Sequence, residues 1–218
     1  MPRRFELLVF DWDGTLMDSA AAIVASIQES CRDLGLPVPE RERAAHVIGL
    51  GLKDALTYAV PELPLADYGK LAERYRHHYL ARDPDIELFP GMREMLASLK
   101  QRGHLLAVAT GKSRVGLERV FAATQLKQYF DSSRCADETH SKPHPAMLQE
   151  LMRELMVEPE ATLMIGDTAH DLQMAVSAGV PALAVSYGAH PRDSLTEFNP
   201  VACIDTPQDL APWLATNA

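Results

Sequence analysis

The chain has 218 residues, of which 21 are Lys or Arg and 30 are Asp or Glu, for a net charge of −9 with histidine neutral. An apolar share of 47% against 23% charged excludes intrinsic disorder, and the length allows a sizeable core without disulfide or metal staples. The acidic balance argues against nucleic acid and anionic lipid as partners, and no apolar run is long enough to cross a bilayer.

The basic start of the chain leads into an apolar stretch too short for a signal peptide and closed by Asp11. That stretch, Phe5 to Phe10, reads as a buried strand running into the tight loop Asp11-Trp12-Asp13-Gly14. From residue 17 to 86 no good strand occurs. Ala20 to Leu34, Arg41 to Val47, Lys53 to Val60 and Asp67 to Ala81 all read as helices. A crossover between parallel strands needs only one helix, so several in a row predict an inserted helical subdomain. The remainder alternates. Helices are predicted for Met92 to Arg102, closed by Gly103, and for Ser113 to Thr124, Pro145 to Met156 and Ala169 to Ala178. Strands are predicted at His104 to Ala109, Ala161 to Ile165 and Pro181 to Ser186, with a weaker one at Val201 to Ile204. This order predicts an α/β fold: a Rossmann-like, doubly wound parallel sheet formed by residues 1–16 and 87–218, with a small α-helical cap domain over 17–86. Cys31, Cys135 and Cys203 lie far apart with no C-x-x-C pair, so free thiols buried in a reducing cytoplasm are expected.

Three predicted strands end in polar residues that structure alone does not demand: Asp11 with Asp13, Thr110, and Asp167 with Asp171. In an open α/β sheet, the carboxyl ends of neighbouring strands meet in one crevice, where ligands bind. Carboxylates gathered there repel one another unless a cation compensates them. An all-oxygen set suits a hard ion such as Mg²⁺, which takes its remaining ligands from water and substrate phosphate. A carboxylate beside such an ion can attack phosphorus.

Four segments carry a family resemblance. Asp11-Trp12-Asp13-Gly14-Thr15-Leu16-Met17-Asp18-Ser19 resembles the first motif of the haloacid dehalogenase superfamily. Val108-Ala109-Thr110-Gly111-Lys112, Ser141-Lys142-Pro143-His144-Pro145 and Gly166-Asp167-Thr168-Ala169-His170-Asp171 resemble the second, third and fourth, in that order. The resemblance implies a Mg²⁺-dependent phosphatase acting on a small phosphorylated metabolite, with a pattern similar to phosphoglycolate phosphatases. It implies Asp11 as nucleophile and Asp13 as acid and base. The metal would be held by Asp11, Asp167 and the Asp13 backbone carbonyl. Thr110, Gly111 and Lys142 would hold the phosphoryl group, and Asp171 would support the metal through water or orient Lys142. In this family a cap loop selects the substrate, which draws attention to His46 and Lys53.

Each residue also has a plain structural use. Asp13-Gly14 is a good turn dipeptide, Thr110 or Thr168 can cap a helix, and Lys142 and Lys53 can be solvated. Four ordered coincidences would be needed for all of these at once. Asp13 argues against the dehalogenases and phosphonatases of the superfamily, which lack it. A sugar-phosphate mutase shares both aspartates and the cap. A receiver-type phosphoacceptor module shares the Asp, Thr, Lys and Mg²⁺ chemistry, but its acceptor follows a middle strand and it has no helical insertion.

Overall fold

The computed structural model describes residues 4–218. Six strands, β1 (Leu7–Phe10), β2 (Leu105–Thr110), β3 (Ser132–Cys135), β4 (Thr162–Gly166), β5 (Ala182–Val185) and β6 (Ala202–Ile204), form one parallel sheet in the order β3-β2-β1-β4-β5-β6. The winding direction reverses between β1 and β4. That reversal opens a crevice at their carboxyl ends, where Asp11 follows Phe10 and Asp167 follows Gly166.

The pleat sorts side chains to the two faces. Leu8, Phe10, Leu106, Val108, Leu163 and Ile165 pack on α5 (Met92–Gln101), α6 (Arg114–Thr124) and α10 (Pro207–Asn217). Leu7, Val9, Ala107, Ala109 and Met164 face α7 (Ala146–Leu155), α8 (Ala169–Ala178) and α9 (Arg192–Thr196). Trp12 is fully buried, edge-on to Phe121 at 5.4 Å between ring centroids.

Between β1 and α5 lie α1 (Ala20–Asp33), α2 (Arg41–His46), α3 (Leu52–Ala59) and α4 (Tyr68–Arg82). They bury an apolar cluster of their own around Ile23, Ile27, Leu56 and Leu71. The two passages joining this insertion to the sheet run side by side, with Asp18 N–H donating to Glu87 O and Phe89 N–H to Leu16 O.

The strand β3 differs from expectation. Its sequence Ser-Ser-Arg-Cys is polar because it is a half-exposed edge strand, paired only with β2. The strand predicted at Val201 to Ile204 is therefore the sixth. The last helix, α10, begins at Pro207 and carries Pro212 inside it, which hides its apolar periodicity. Cys31 and Cys135 are buried, whereas Cys203 is only half-buried. No helix among the described residues is long and apolar enough to cross a membrane.

Candidate active site

Asp11 leaves β1 with its N–H on Ile165 O at 2.9 Å, so the sheet itself aims the side chain into the crevice. Its Oδ1 accepts from Lys142 Nζ at 2.5 Å, while its Oδ2 is buried with no hydrogen-bond partner among the described residues. Lys142 is only 2% exposed and also lies 2.6 Å from Asp171 Oδ1, so it is not a solvated loop lysine. Asp171 Oδ2 accepts from the Thr168 N–H and hydroxyl, closing a capping box at the start of α8. Thr168 therefore does cap a helix, and Asp171 serves both the cap and Lys142.

Asp167 is held from two sides. Its Oδ1 accepts from Thr15 Oγ1 at 2.8 Å and its Oδ2 from the Ala189 N–H at 2.7 Å. Gly14, at φ +84°, passes so close that a Cβ there would lie 2.1 Å from Asp167 Oδ2. Thr110 is buried at the end of β2, and its Oγ1 accepts from the Lys112 N–H at 3.1 Å. Ser113, not Thr110, caps the following helix.

Asp13 points elsewhere. Its Oδ1 accepts from Ser19 Oγ at 2.7 Å and lies 3.0 Å from Lys112 Nζ. The side-chain carboxylates that converge are Asp11, Asp167 and Asp171, each offering an oxygen within 4.8 Å of the others. Burial pushes the Asp11 carboxyl well above the ordinary carboxylate range. Lys142 opposes that rise, and Asp171, Asp167 and Asp13 add to it. Asp167 is pushed up to about 7, first by burial and then by Asp171, against the hydrogen bonds from Ala189 and Thr15. Burial works against the charge on Lys142, yet Asp11 and Asp171 hold it above the ordinary lysine value. Among the described residues, three buried carboxylates thus face one ammonium, and Asp11 Oδ2 has no donor. This donor set fits a hard divalent cation.

The insertion reaches the site through the last residue of α2, His46, and the segment that follows it. The His46 carbonyl accepts from His170 Nε2 at 2.7 Å and from His190 Nε2 at 3.1 Å. His190 Nδ1 accepts the Ala169 N–H, so its remaining proton sits on Nε2 and the ring is neutral. Burial lowers His190 to about 4 and moves His170 in the same direction. His46 is therefore a docking point rather than a lining residue, its ring stacked on His190 at 5.1 Å. Gly51 N–H donates to Ser141 Oγ at 2.8 Å, and a Cβ on Gly111 would meet Leu50 O at 2.4 Å.

A cleft of about 910 Å³ lies between insertion and sheet, lined by Asp13, Lys112 and Ser141 on one side and Lys53, Leu56 and Tyr79 on the other. Lys53 is exposed at the start of α3, and among the described residues it forms no ion pair.

The family model for haloacid dehalogenase-like hydrolases matches residues 8–185. The chain belongs to that family. Among its relatives, the protein named "Probable phosphatase IndB" of Dickeya dadantii is 38% identical over 92% of this chain and 89% of its own. A phosphoglycolate phosphatase of Agrobacterium fabrum is 31% identical over 95% of this chain and 91% of its own. The crystal structure of a hydrolase from Pseudomonas syringae superposes with a TM-score of 0.88 at 22% identity, covering 98% of this chain and 99% of that one.

Sequence reasoning left Lys112, Tyr79, Ser19, Thr15, His170 and His190 without roles. Thr15, Ser19, Lys112 and His170 lie inside or beside the quoted motifs. Tyr79 and His190 carry no local signal, because only the fold brings them to the site.

Proposed function

We propose that this haloacid dehalogenase-like hydrolase is a Mg²⁺-dependent phosphatase that cleaves a small phosphate monoester through an aspartyl-phosphate on Asp11. The observation that carries this reading is Asp11: a buried carboxylate with one oxygen on Lys142 and the other without a donor among the described residues. As a class the enzyme is a phosphoric monoester hydrolase, and the two relatives described above bear phosphatase names.

In the first half-reaction an Asp11 carboxylate oxygen attacks phosphorus in line, and the bond to the ester oxygen breaks. Asp13 gives that oxygen its proton. In the second half Asp13 takes a proton from water as the water oxygen attacks phosphorus, releasing inorganic phosphate and restoring Asp11. Lys142, Thr110 and the Gly111 backbone hold the phosphoryl oxygens, and the Lys142 charge counters the charge that builds there. Asp11, Asp167 and the Asp13 backbone carbonyl would hold Mg²⁺, with Asp171 orienting Lys142 and supporting the metal through water. When bound, the ion neutralises phosphate charge and the mutual repulsion of the carboxylates.

Residues 17–86 act as a cap over residues 1–16 and 87–218, limiting access to small molecules and excluding water. Lys53, on the cleft wall, contacts an anionic part of the leaving group. The three free thiols fit a reducing cytoplasm. A panel of small phosphate esters, 2-phosphoglycolate among them, assayed with Mg²⁺ and with chelator, tests the reading. Mg²⁺-dependent phosphate release is expected, and inertness towards the whole panel would contradict it.

A further inference from the structure

Lys112 has no part in the mechanism above, yet its ammonium sits at the seam between sheet and insertion. Its side chain is 8% exposed. Nζ lies 3.0 Å from Asp13 Oδ1, donates to the Tyr79 hydroxyl at 2.9 Å, and stands 4.9 Å from the Tyr79 ring centroid. Tyr79 belongs to α4 of the insertion and is buried against Tyr75, with ring centroids 5.8 Å apart.

We propose that Lys112 is a positioning residue that ties the acid–base carboxylate of Asp13 to Tyr79, so that Asp13 is set for proton transfer when the insertion lies over the sheet. The proposal rests on the acid–base reading of Asp13.

The geometry divides the two oxygens of Asp13. Oδ1 takes both the Ser19 hydroxyl and the Lys112 ammonium. Oδ2 accepts from no protein group among the described residues, and so is the oxygen left to carry the proton. When Oδ2–H protonates the departing ester oxygen, the electron pair of the broken P–O bond takes the proton and Asp13 becomes a carboxylate. The charge then appears beside an ammonium already in place. A contact that strengthens as the proton leaves lowers the barrier rather than merely binding substrate. In the second half-reaction Asp13 begins as that carboxylate, held by the same pair while water gives up its proton.

The partner of Lys112 sets it apart from the lysine at the nucleophile. Lys142 is the ammonium on Asp11, whereas the only carboxylate paired with Lys112 among the described residues is Asp13. Tyr79 supplies the link to the insertion. If α4 moves away, Nζ loses its hydroxyl acceptor and its ring, gains water, and no longer fixes Oδ1.

The test compares kcat/KM for β-glycerophosphate, whose alkoxide needs a proton to leave, with para-nitrophenyl phosphate, whose nitrophenolate does not. For Lys112→Met, loss of a charge-assisted hydrogen bond predicts a roughly ten- to hundredfold fall on β-glycerophosphate, with about threefold or less on the aryl ester. Tyr79→Phe, which keeps the ring and the packing, is expected to shift the ratio of the two constants in the same direction by a smaller factor. Equal losses on both esters, or an unchanged ratio with a lowered melting temperature, would make Lys112 a phosphoryl-binding or structural residue and overturn the proposal. An unchanged ratio in Tyr79→Phe would overturn the link to the insertion. Asp13→Asn separates the two levels. A large ratio shift there with none in Lys112→Met defeats this inference alone, and no shift in Asp13→Asn defeats the acid reading of Asp13 and this inference with it.

Discussion

Among the described residues, Lys142 is the one ammonium set against Asp11, Asp167 and Asp171, so its removal exposes the electrostatics of the whole site. Lys142→Met keeps most of the aliphatic volume and deletes the charge that lies 2.5 Å from Asp11 and 2.6 Å from Asp171. Breaking a buried ion pair by removing one partner costs about 3–5 kcal/mol, because the other charge stays buried. For a chain of this size each kcal/mol shifts the melting temperature by roughly 2–4 °C, so the metal-free variant should melt roughly 6–20 °C below the parent at about pH 8. The sign of the pH dependence follows from the carboxyls. Burial raises Asp11 and Asp167 above their unfolded values, so their protonated forms favour the fold at low pH, and that advantage is lost as pH rises through the folded value, about 7 for Asp167. Lys142 opposes the rise in both groups, so deleting it pushes them higher still. The deficit should therefore shrink as pH is lowered from about 8 to about 6, and shrink again when Mg²⁺ is added at the higher pH. Calorimetric melts with and without chelator measure it. Equal melting temperatures at the higher pH, or a deficit that grows as pH falls, would refute the reasoning.

Three further outcomes are expected. The apparent Mg²⁺ affinity should weaken as pH falls below about 7, because the ion must displace the proton that burial holds on Asp167, and calorimetric titration should show proton release on binding. Gly14→Ala should sharply raise the Mg²⁺ concentration needed for half-maximal activity, since its methyl would sit 2.1 Å from Asp167 Oδ2 on a backbone at φ +84°. Lys53→Ala should lower kcat/KM roughly ten- to hundredfold for esters bearing a second anionic group and leave a plain aryl phosphate nearly unchanged.

Legibility in the sequence followed the range of the interactions. The largely apolar runs at β1, β2, β4 and β5 are readable because a central parallel strand is buried on both faces. The edge strand β3 is not, because Arg134 there serves Glu150 and Glu154 rather than the core. Asp11, Thr110 and Asp167 stand directly at strand ends, so a strand prediction already locates them. The pairing of Lys142 with both Asp11 and Asp171 depends on a loop returning across the crevice, so no local pattern encodes it and only the family resemblance points to Asp171 beside Lys142. Tyr79 is an ordinary tyrosine of a mostly polar helix until α4 folds against Lys112. His46 shows the same limit from the other side: its position at the end of α2 is readable, but its carbonyl's two histidine donors come from residues 170 and 190.

The central claim is a covalent phosphoryl group on Asp11. Rapid mixing of enzyme, Mg²⁺ and a turned-over phosphate ester, followed by acid quench and peptide mass analysis, tests it most directly. The account predicts one phosphoryl group on the peptide containing Asp11, formed at a rate no slower than turnover and absent from a folded Asp11→Asn variant that has lost nearly all activity. Phosphate release at the normal rate by Asp11→Asn, or a phosphoryl group trapped on another residue, would contradict it.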